Sequence, residues 1–358
     1  MFYADLCHMH PNPLSGTTTV IDPNNVDHFT DHYFLNSRIA LRHAGVSRRV
    51  LYQVFQRENA ILCGMKFVYK LLGSLAPEVE VHGMEDGERI GPRETVLHIA
   101  GPVDKLLEYE TIYLGLLARM TRVSTNVREA VEAAGVKPVL FFAARFDIPE
   151  AQEYDGYAAR IGGATGASTQ AEADAFHATA VGTMPHALIA AFKGDTVAAA
   201  VALAEALPNE PLWVLVDFQN DSARTAVDVF LRLRERGHRL DGIRLDTSQD
   251  LVDESIRHLG VETRGVQPEL VNEVRRQLDL SGGNAVKISV SGGFSPEKIR
   301  LFEEKNAAVD VYAVGERFFR GSIPFTSDVV GYYEGNNFIP CAKVGREFRP
   351  NPRLKRIK

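Results

Sequence analysis

Cysteine is scarce in this sequence: Cys7, Cys63 and Cys341 are the three present, and no two form a CxxC pair. That scarcity excludes a disulfide framework and points to a reduced, cytoplasmic setting in which the thiols are ordinary core or surface residues. No uninterrupted apolar run reaches the length of a membrane span. The opening MFYADLCHMHPNP has neither the basic segment nor the apolar stretch of a signal peptide. The common nucleotide signatures are missing too: no GxGxxG lies between a strand and a helix, and no GxxxxGK precedes a serine or threonine. HExxH, zinc-type cysteine spacing and GxSxG are absent, which removes a protein-bound catalytic zinc and a serine nucleophile elbow. Nor is there an excess of positive charge. Forty Lys and Arg against 46 Asp and Glu give a net charge of −6, which disfavours nucleic acid as a partner.

What is present describes a globular chain. Its 358 residues, 45% hydrophobic and 24% charged, suffice for a large core and for two domains. The charge is unevenly spread. From Lys343 to Lys358 seven basic residues face one acidic residue, a charge of +6, so the rest of the chain carries −12. Such a tail either solubilises a terminus or meets a phosphate ligand or a partner surface.

The apolar pattern changes along the chain. The first hundred or so residues mix short runs with turns: VLYQVFQ at 50–56 reads as a strand, and 81–101 as short strands joined by glycine turns. Helices are expected through DKLLEYETIYLGLLARM and again over Thr125 to Ala134. After Gly135 the text turns to strand-then-helix units: VKPVLFFAAR ending at Arg145, PLWVLVD ending at Asp217, LDGIRLD ending at Asp246, NAVKISVSGG, and VDVYAVGERF. Repeated units with buried strand runs imply a parallel sheet, and polar or glycine residues just past each strand favour an α/β barrel. Beyond about residue 322, turns and short strands such as GYYEGNNFIPCAKVG return, as if to rejoin the N-terminal region. The expected organisation is α/β. An incomplete TIM-like barrel spans 126–322, and a β-rich α+β domain is composed of 1–125 plus 323–358.

The residues that could carry chemistry cluster at strand ends. Arg145 can grip phosphate or carboxylate with two donors, and Phe142 beside it either packs in the core or stacks a flat ring. Asp217 and Asp246 either cap the following helices or hold ribose hydroxyls or a magnesium ion. Arg244, two residues before Asp246, shares its strand face. Glycine turns at Gly162-Gly163, Ser291-Gly292-Gly293 and Gly315 allow backbone N–H groups to approach an anion. In GTMPHALIAAF, His186 follows a strand-like ATAV run and is a packing residue, an acid–base group or a phosphoryl acceptor.

Taken together the motifs resemble the nicotinate phosphoribosyltransferase family over almost the whole chain. They are TDHYF with Asp31 and Tyr33, FQRE with Arg57, LEYET with Glu110, FFAAR, GGATGAS, GTMPHA, VDFQN, IRLDTSQD, KISVSGGFS and VYAVGERF, in family order. The resemblance implies a homodimer, with higher oligomers open, whose sites lie at subunit junctions. It implies transfer of phosphoribosyl from PRPP to nicotinic acid, with Mg2+ held mainly through pyrophosphate, coupled to ATP through a phosphohistidine at His186. By the same carry-over His186, Asp217, Asp246 and Arg244 are catalytic. Phe142 and a neighbouring subunit's Tyr33 stack the pyridine, with Asp31 in the same motif. Arg145 faces carboxylate or phosphate, and Arg57 faces pyrophosphate. Gly163, Thr165 and Ser168 contact the base. Gly292, Gly293, Gly315 and Glu316 cradle the 5′-phosphate. The Asp246–Asp250 turn is one residue longer than the DSGD-like turn of many relatives, and Cys341 alone stands where some carry a metal knuckle, so no structural zinc is expected. Three alternatives remain at this point. Nicotinamide phosphoribosyltransferase is disfavoured by the absence of a carboxylate in GGATGAS. Quinolinate phosphoribosyltransferase has no phosphohistidine step, so GTMPHA argues against it. The third is a non-catalytic PRPP-binding or scaffold protein.

Overall fold

The computed structural model describes residues 23–75, 77–260 and 264–356; Cys7 and Lys358 lie outside them. The chain divides into two compact units, one made of 1–126, 153–162 and 320–358, the other of 127–152 and 163–319. The stretch 153–162, which falls inside the expected barrel range, packs with the first unit.

The first unit is built on an antiparallel sheet of β1 (Arg49–Phe55), β3 (Glu80–Gly83), β5 (Thr95–Pro102), β12 (Thr326–Glu334), β13 (Asn337–Pro340) and β14 (Lys355–Arg356), in the order β13-β12-β1-β5-β3-β14. β2 (Ala60–Ile61) and β4 (Arg89–Ile90) form a small separate ladder. GYYEGNNFIP therefore does return to the N-terminal region: β12 lies on β1 with Phe55 opposite Thr326. β1 is buried from Val50 to Phe55, on both faces, which is why it reads as a continuous apolar run and not as an alternation. Leu62, Met65, Val68, Leu71, Leu72, Val96, Leu97 and Tyr113 form its core.

Two helices expected at 104–120 and 125–134 are one. After short turns at Val103–Leu106 and Leu107–Tyr109, a single helix runs Glu110–Ala134, and within it the chain passes from the first unit to the second. The hydroxyl-rich stretch TRVST lies between the two expected segments, and such side chains can compete with the backbone. Here those hydroxyls have partners: Thr121 Oγ1 donates to Cys63 O at 3.1 Å, Ser124 Oγ to Ile61 O at 2.7 Å and Thr125 Oγ1 to Thr121 O at 2.6 Å.

The second unit is an open, curled parallel sheet, an incomplete barrel. Its strands are β6 (Val139–Phe141), β7 (Gly166–Ala167), β8 (Trp213–Leu215), β9 (Gly242–Leu245), β10 (Lys287–Val290) and β11 (Val311–Val314), in the order β7-β6-β11-β10-β9-β8. β11 closes onto β6, so the opening lies between β7 and β8. The segment 178–185 crosses that opening without becoming a strand. Val181 N donates to Ala167 O at 2.9 Å and Met184 N to Trp213 O at 3.1 Å. The ATAV run expected to be strand-like is this irregular stave. Inside the ring, Leu140, Val311 and Ala313 pack with Phe142, Val181 and Trp213. Gly242 stands opposite Trp213 in the ladder, and a Cβ there would run into the indole ring. Helices Thr196–Ala206, Ser222–Glu235 and Pro268–Leu280 pack side by side on the outside.

Candidate active site

Parallel strands deliver the residues that follow them to one end of a barrel, the end at which α/β barrels carry their chemistry. Arg145 follows β6, Ser168 follows β7, Asp217 follows β8, Asp246 follows β9, the Ser291–Gly293 turn follows β10, and Gly315 follows β11. Gly242, Arg244 and Asp246 alternate along β9 on its inner face, so the indole of Trp213 floors the ring, Arg244 lies above it and Asp246 stands at the rim.

The polar groups at this rim are interlocked. Arg244 Nη1 donates to Thr183 Oγ1 at 2.8 Å and Nη2 to Asp246 Oδ2 at 3.2 Å. Ser291 Oγ donates to Asp246 Oδ1 at 2.7 Å. His186 opens the helix His186–Ala191, and its Nε2 lies 3.1 Å from Asp217 Oδ2. A cavity of about 380 Å³ opens at this rim, lined by Arg145, Thr183, Pro185, His186, Ala187, Arg244 and Asp246. Burial pushes the Asp217 carboxyl up, against the pull of His186. Burial also lowers the Arg244 guanidinium, against Asp246 and Asp217. Asp217 Oδ1 and Arg244 Nε are buried with no hydrogen-bond partner among the described residues. Unmade bonds of this kind are costly in an empty site and are recovered when a polar ligand enters.

Not every expected residue comes here. Gly163 and Thr165 precede β7, where Thr165 N donates to Val139 O at 2.9 Å; they lie at the opposite, N-terminal end of the strands. Gly163, at φ 104°, closes the turn after the helix Gln152–Gly162 instead of cradling an anion. Ser168, across the two-residue strand, is at the mouth side and reaches Glu172 Oε2 at 3.4 Å. Phe142 is half-buried; its N–H donates to Val314 O at 2.8 Å. Gly315 is covered: a Cβ there would meet the Phe146 ring at 2.6 Å and Phe142 O at 2.7 Å. Glu316 begins the short turn Glu316–Phe319 and is exposed. Asp31, Tyr33 and Arg57 belong to the first unit and are exposed. Asp31 precedes the helix His32–His43, and its side chain makes no cap bond there but accepts from Thr111 Oγ1 at 2.8 Å. The sequence reading missed Thr183 and the Ser291 hydroxyl, although both sit inside motifs it quoted. Among the described residues no three His, Cys, Asp or Glu side chains are grouped to hold a metal ion, and no helix is long and apolar enough to cross a membrane.

Fold and rim together are those of a two-domain α/β protein with an incomplete barrel and a polar mouth. Residues 32–121 match the description "Quinolinate phosphoribosyl transferase, N-terminal domain" and residues 123–319 its C-terminal domain. The chain belongs to the quinolinate phosphoribosyl transferase family. A solved nicotinate-nucleotide pyrophosphorylase from Pyrococcus furiosus is 31% identical, with a TM-score of 0.77 over 95% of this chain and 82% of that one. A probable carboxylating nicotinate-nucleotide pyrophosphorylase from Synechocystis is 27% identical over 127 residues, 35% of this chain and 41% of the relative. The nicotinate phosphoribosyltransferase pncB1 of Mycobacterium tuberculosis is 28% identical over 259 residues, 70% of this chain and 52% of the relative. The chain thus spans about half the length of the curated relatives it matches.

The domain matches overturn the assignment to the nicotinate phosphoribosyltransferase family. Nicotinic acid as substrate, ATP as co-substrate, the ligase-type coupling and the phosphohistidine at His186 fall with it. The error has a physical origin. A histidine bonded to a carboxylate suits proton transfer as well as phosphoryl transfer, so GTMPHA never counted against quinolinate. The Ser291–Gly293 turn and the strand-end acids quoted as markers belong to the barrel mouth generally.

Proposed function

We propose that this chain transfers the phosphoribosyl group of PRPP to the ring nitrogen of quinolinate, releasing pyrophosphate and CO2 and leaving nicotinate mononucleotide. What carries this reading is the match of both family domains, in order, from residue 32 to residue 319. The rim supports it: the cavity combines Arg145 and Arg244 with Asp246, cations for an anionic pyridine and a carboxylate acceptor for ribose hydroxyls. The Asp246 carboxylate on the cavity wall supports the reading further, as a negative charge suited to an oxocarbenium-like ribose.

Decarboxylation of the quinolinate adduct breaks the bond between ring C2 and its carboxylate. CO2 leaves, the electron pair stays on C2, and a proton must replace the lost group. His186 lines the cavity with Nε2–H held on Asp217, so it delivers that proton from Nδ1 as the imidazolium and is left neutral. Steady-state assays with PRPP, Mg2+ and quinolinate, without ATP, test the reading. CO2 and mononucleotide should form together; absence of both sinks the enzyme reading and leaves a binding or scaffold role. His186→Gln should lower kcat by about 10²-fold with the KM for PRPP little changed.

A further inference from the structure

Lys298 lies one turn beyond the Ser291–Gly293 turn, in the helix Pro296–Glu304, and no role has been assigned to it. Its ammonium is not on the surface seeking water. It sits over the Phe294 ring at 4.5 Å and within 5.8 Å of the Phe302 ring, and its Nζ donates to Gly292 O at 3.4 Å. It forms no ion pair with a carboxylate among the described residues, and burial alone pushes the amine down to about 8. A half-buried cation without a counter-charge is costly, and a chain that keeps one in that position gains something from it.

The gain is in the orientation of a peptide. Across a trans peptide the C=O of Gly292 and the N–H of Gly293 point in opposite directions. Anchoring that carbonyl on Lys298, inside, turns the Gly293 N–H outward. Both glycines have left-handed φ, 86° and 72°, a conformation glycine adopts without strain and one that leaves no side chain between the turn and a ligand. Neither N–H has an acceptor among the described residues. Ser291 fixes the other side of the turn through its bond to Asp246, and Asp246 Oδ1 leaves only 3.2 Å to where a Gly292 Cβ would stand. The exposed Gln249 rests its carboxamide against Gly293, with the Nε2 donor nearest to where a side chain would stand.

We infer that Lys298 is a positioning residue for the terminal phosphate of the phosphoribosyl ligand, acting by holding the Gly292 carbonyl so that the Gly293 N–H faces that phosphate. The inference rests on the phosphoribosyl reading above and adds to it a residue that does not touch the substrate. Lys298→Met keeps the apolar stem over both rings and removes the anchor. The expected result is a KM for PRPP raised about tenfold, the worth of one good hydrogen bond to an anion, with kcat and the KM for quinolinate within about twofold of wild type. Lys298→Arg, which keeps charge and donors, should restore the KM for PRPP to within about threefold. An unchanged KM for PRPP in Lys298→Met overturns the inference, as does a loss confined to kcat. Should Lys298→Met not fold, Lys298→Arg decides: a tenfold or larger rise in its KM for PRPP overturns the inference. Calorimetric titration with ribose 5-phosphate separates the two levels. If wild type binds it more tightly than Lys298→Met but turns over no quinolinate, the reaction reading fails and Lys298 stands; if the two bind it equally, Lys298 fails whatever the reaction.

Discussion

Asp217 and Glu110 are both carboxyls raised by burial, and they differ in what they face. Asp217 has His186 opposite, so its charged form has a partner. Glu110 is pushed up to about 7 by burial and then by the like charges of Asp328 and Asp31. Between its ordinary value and 7 the folded protein binds a proton that the unfolded chain releases, so stability should fall as pH rises through that window. Glu110→Gln removes the proton uptake. It should flatten the fall between pH 5 and 7.5 and raise stability at pH 8 by roughly 1–3 kcal/mol, read from urea unfolding at several pH values. An unchanged pH slope in the variant would show that Glu110 is not the titrating group. None of this was legible in LEYET, where Glu110 served only as a family marker. The like charges that surround it come from residues 31 and 328, far apart in sequence.

Among the elements, β8 and β9 show how a strand pair sets the floor of the site. Gly242 exists because Trp213 fills the space its side chain would need. Gly242→Ala should cost more than about 2 kcal/mol through overpacking, measured by chemical denaturation. Trp213→Phe in the same chain should recover part of that loss, as expected for two residues in contact. The five longer strands of this sheet could be read from sequence because strands covered on both faces are continuous apolar runs. β7 could not. With two residues it leaves no periodicity, so the sequence could not say that Gly163 and Thr165 enter the strand from the far end while Ser168 leaves it at the mouth. The stave 178–185 was mistaken for a strand for the related reason that ATAV is apolar and β-branched, yet it makes one backbone bond to each neighbour.

For the whole molecule, the division into units and the incomplete barrel were visible in the change of texture after Gly135. The destination of the basic tail was not. It lies on the first unit, where Arg353 pairs with Glu88 and Glu94, Lys355 with Glu85, and Arg346 with Asp328. Lys355 and Arg356 add β14 to the free edge of β3. The Lys355–Glu85 pair is exposed and contributes little, and the Arg353 pairs are partly exposed. The buried Gln53 matters more: its Oε1 accepts from Arg349 N at 2.7 Å, and Thr95 Oγ1 donates to Arg349 O at 3.1 Å. Removing residues 343–358 should therefore destabilise the first unit by about 2–4 kcal/mol, whereas 0.5 M NaCl should cost under about 1 kcal/mol. Equal losses under both treatments would mean that charge, not Gln53, holds the tail. Thr183, by contrast, is presented by the stave that spans the opening between β7 and β8, and His186 by the helix that follows it. Because that segment shares so few bonds with the sheet, mutation can reshape this wall of the cavity without disturbing the register of any strand. The wall of the cavity and the scaffold of the barrel are thus separable targets for change in this chain.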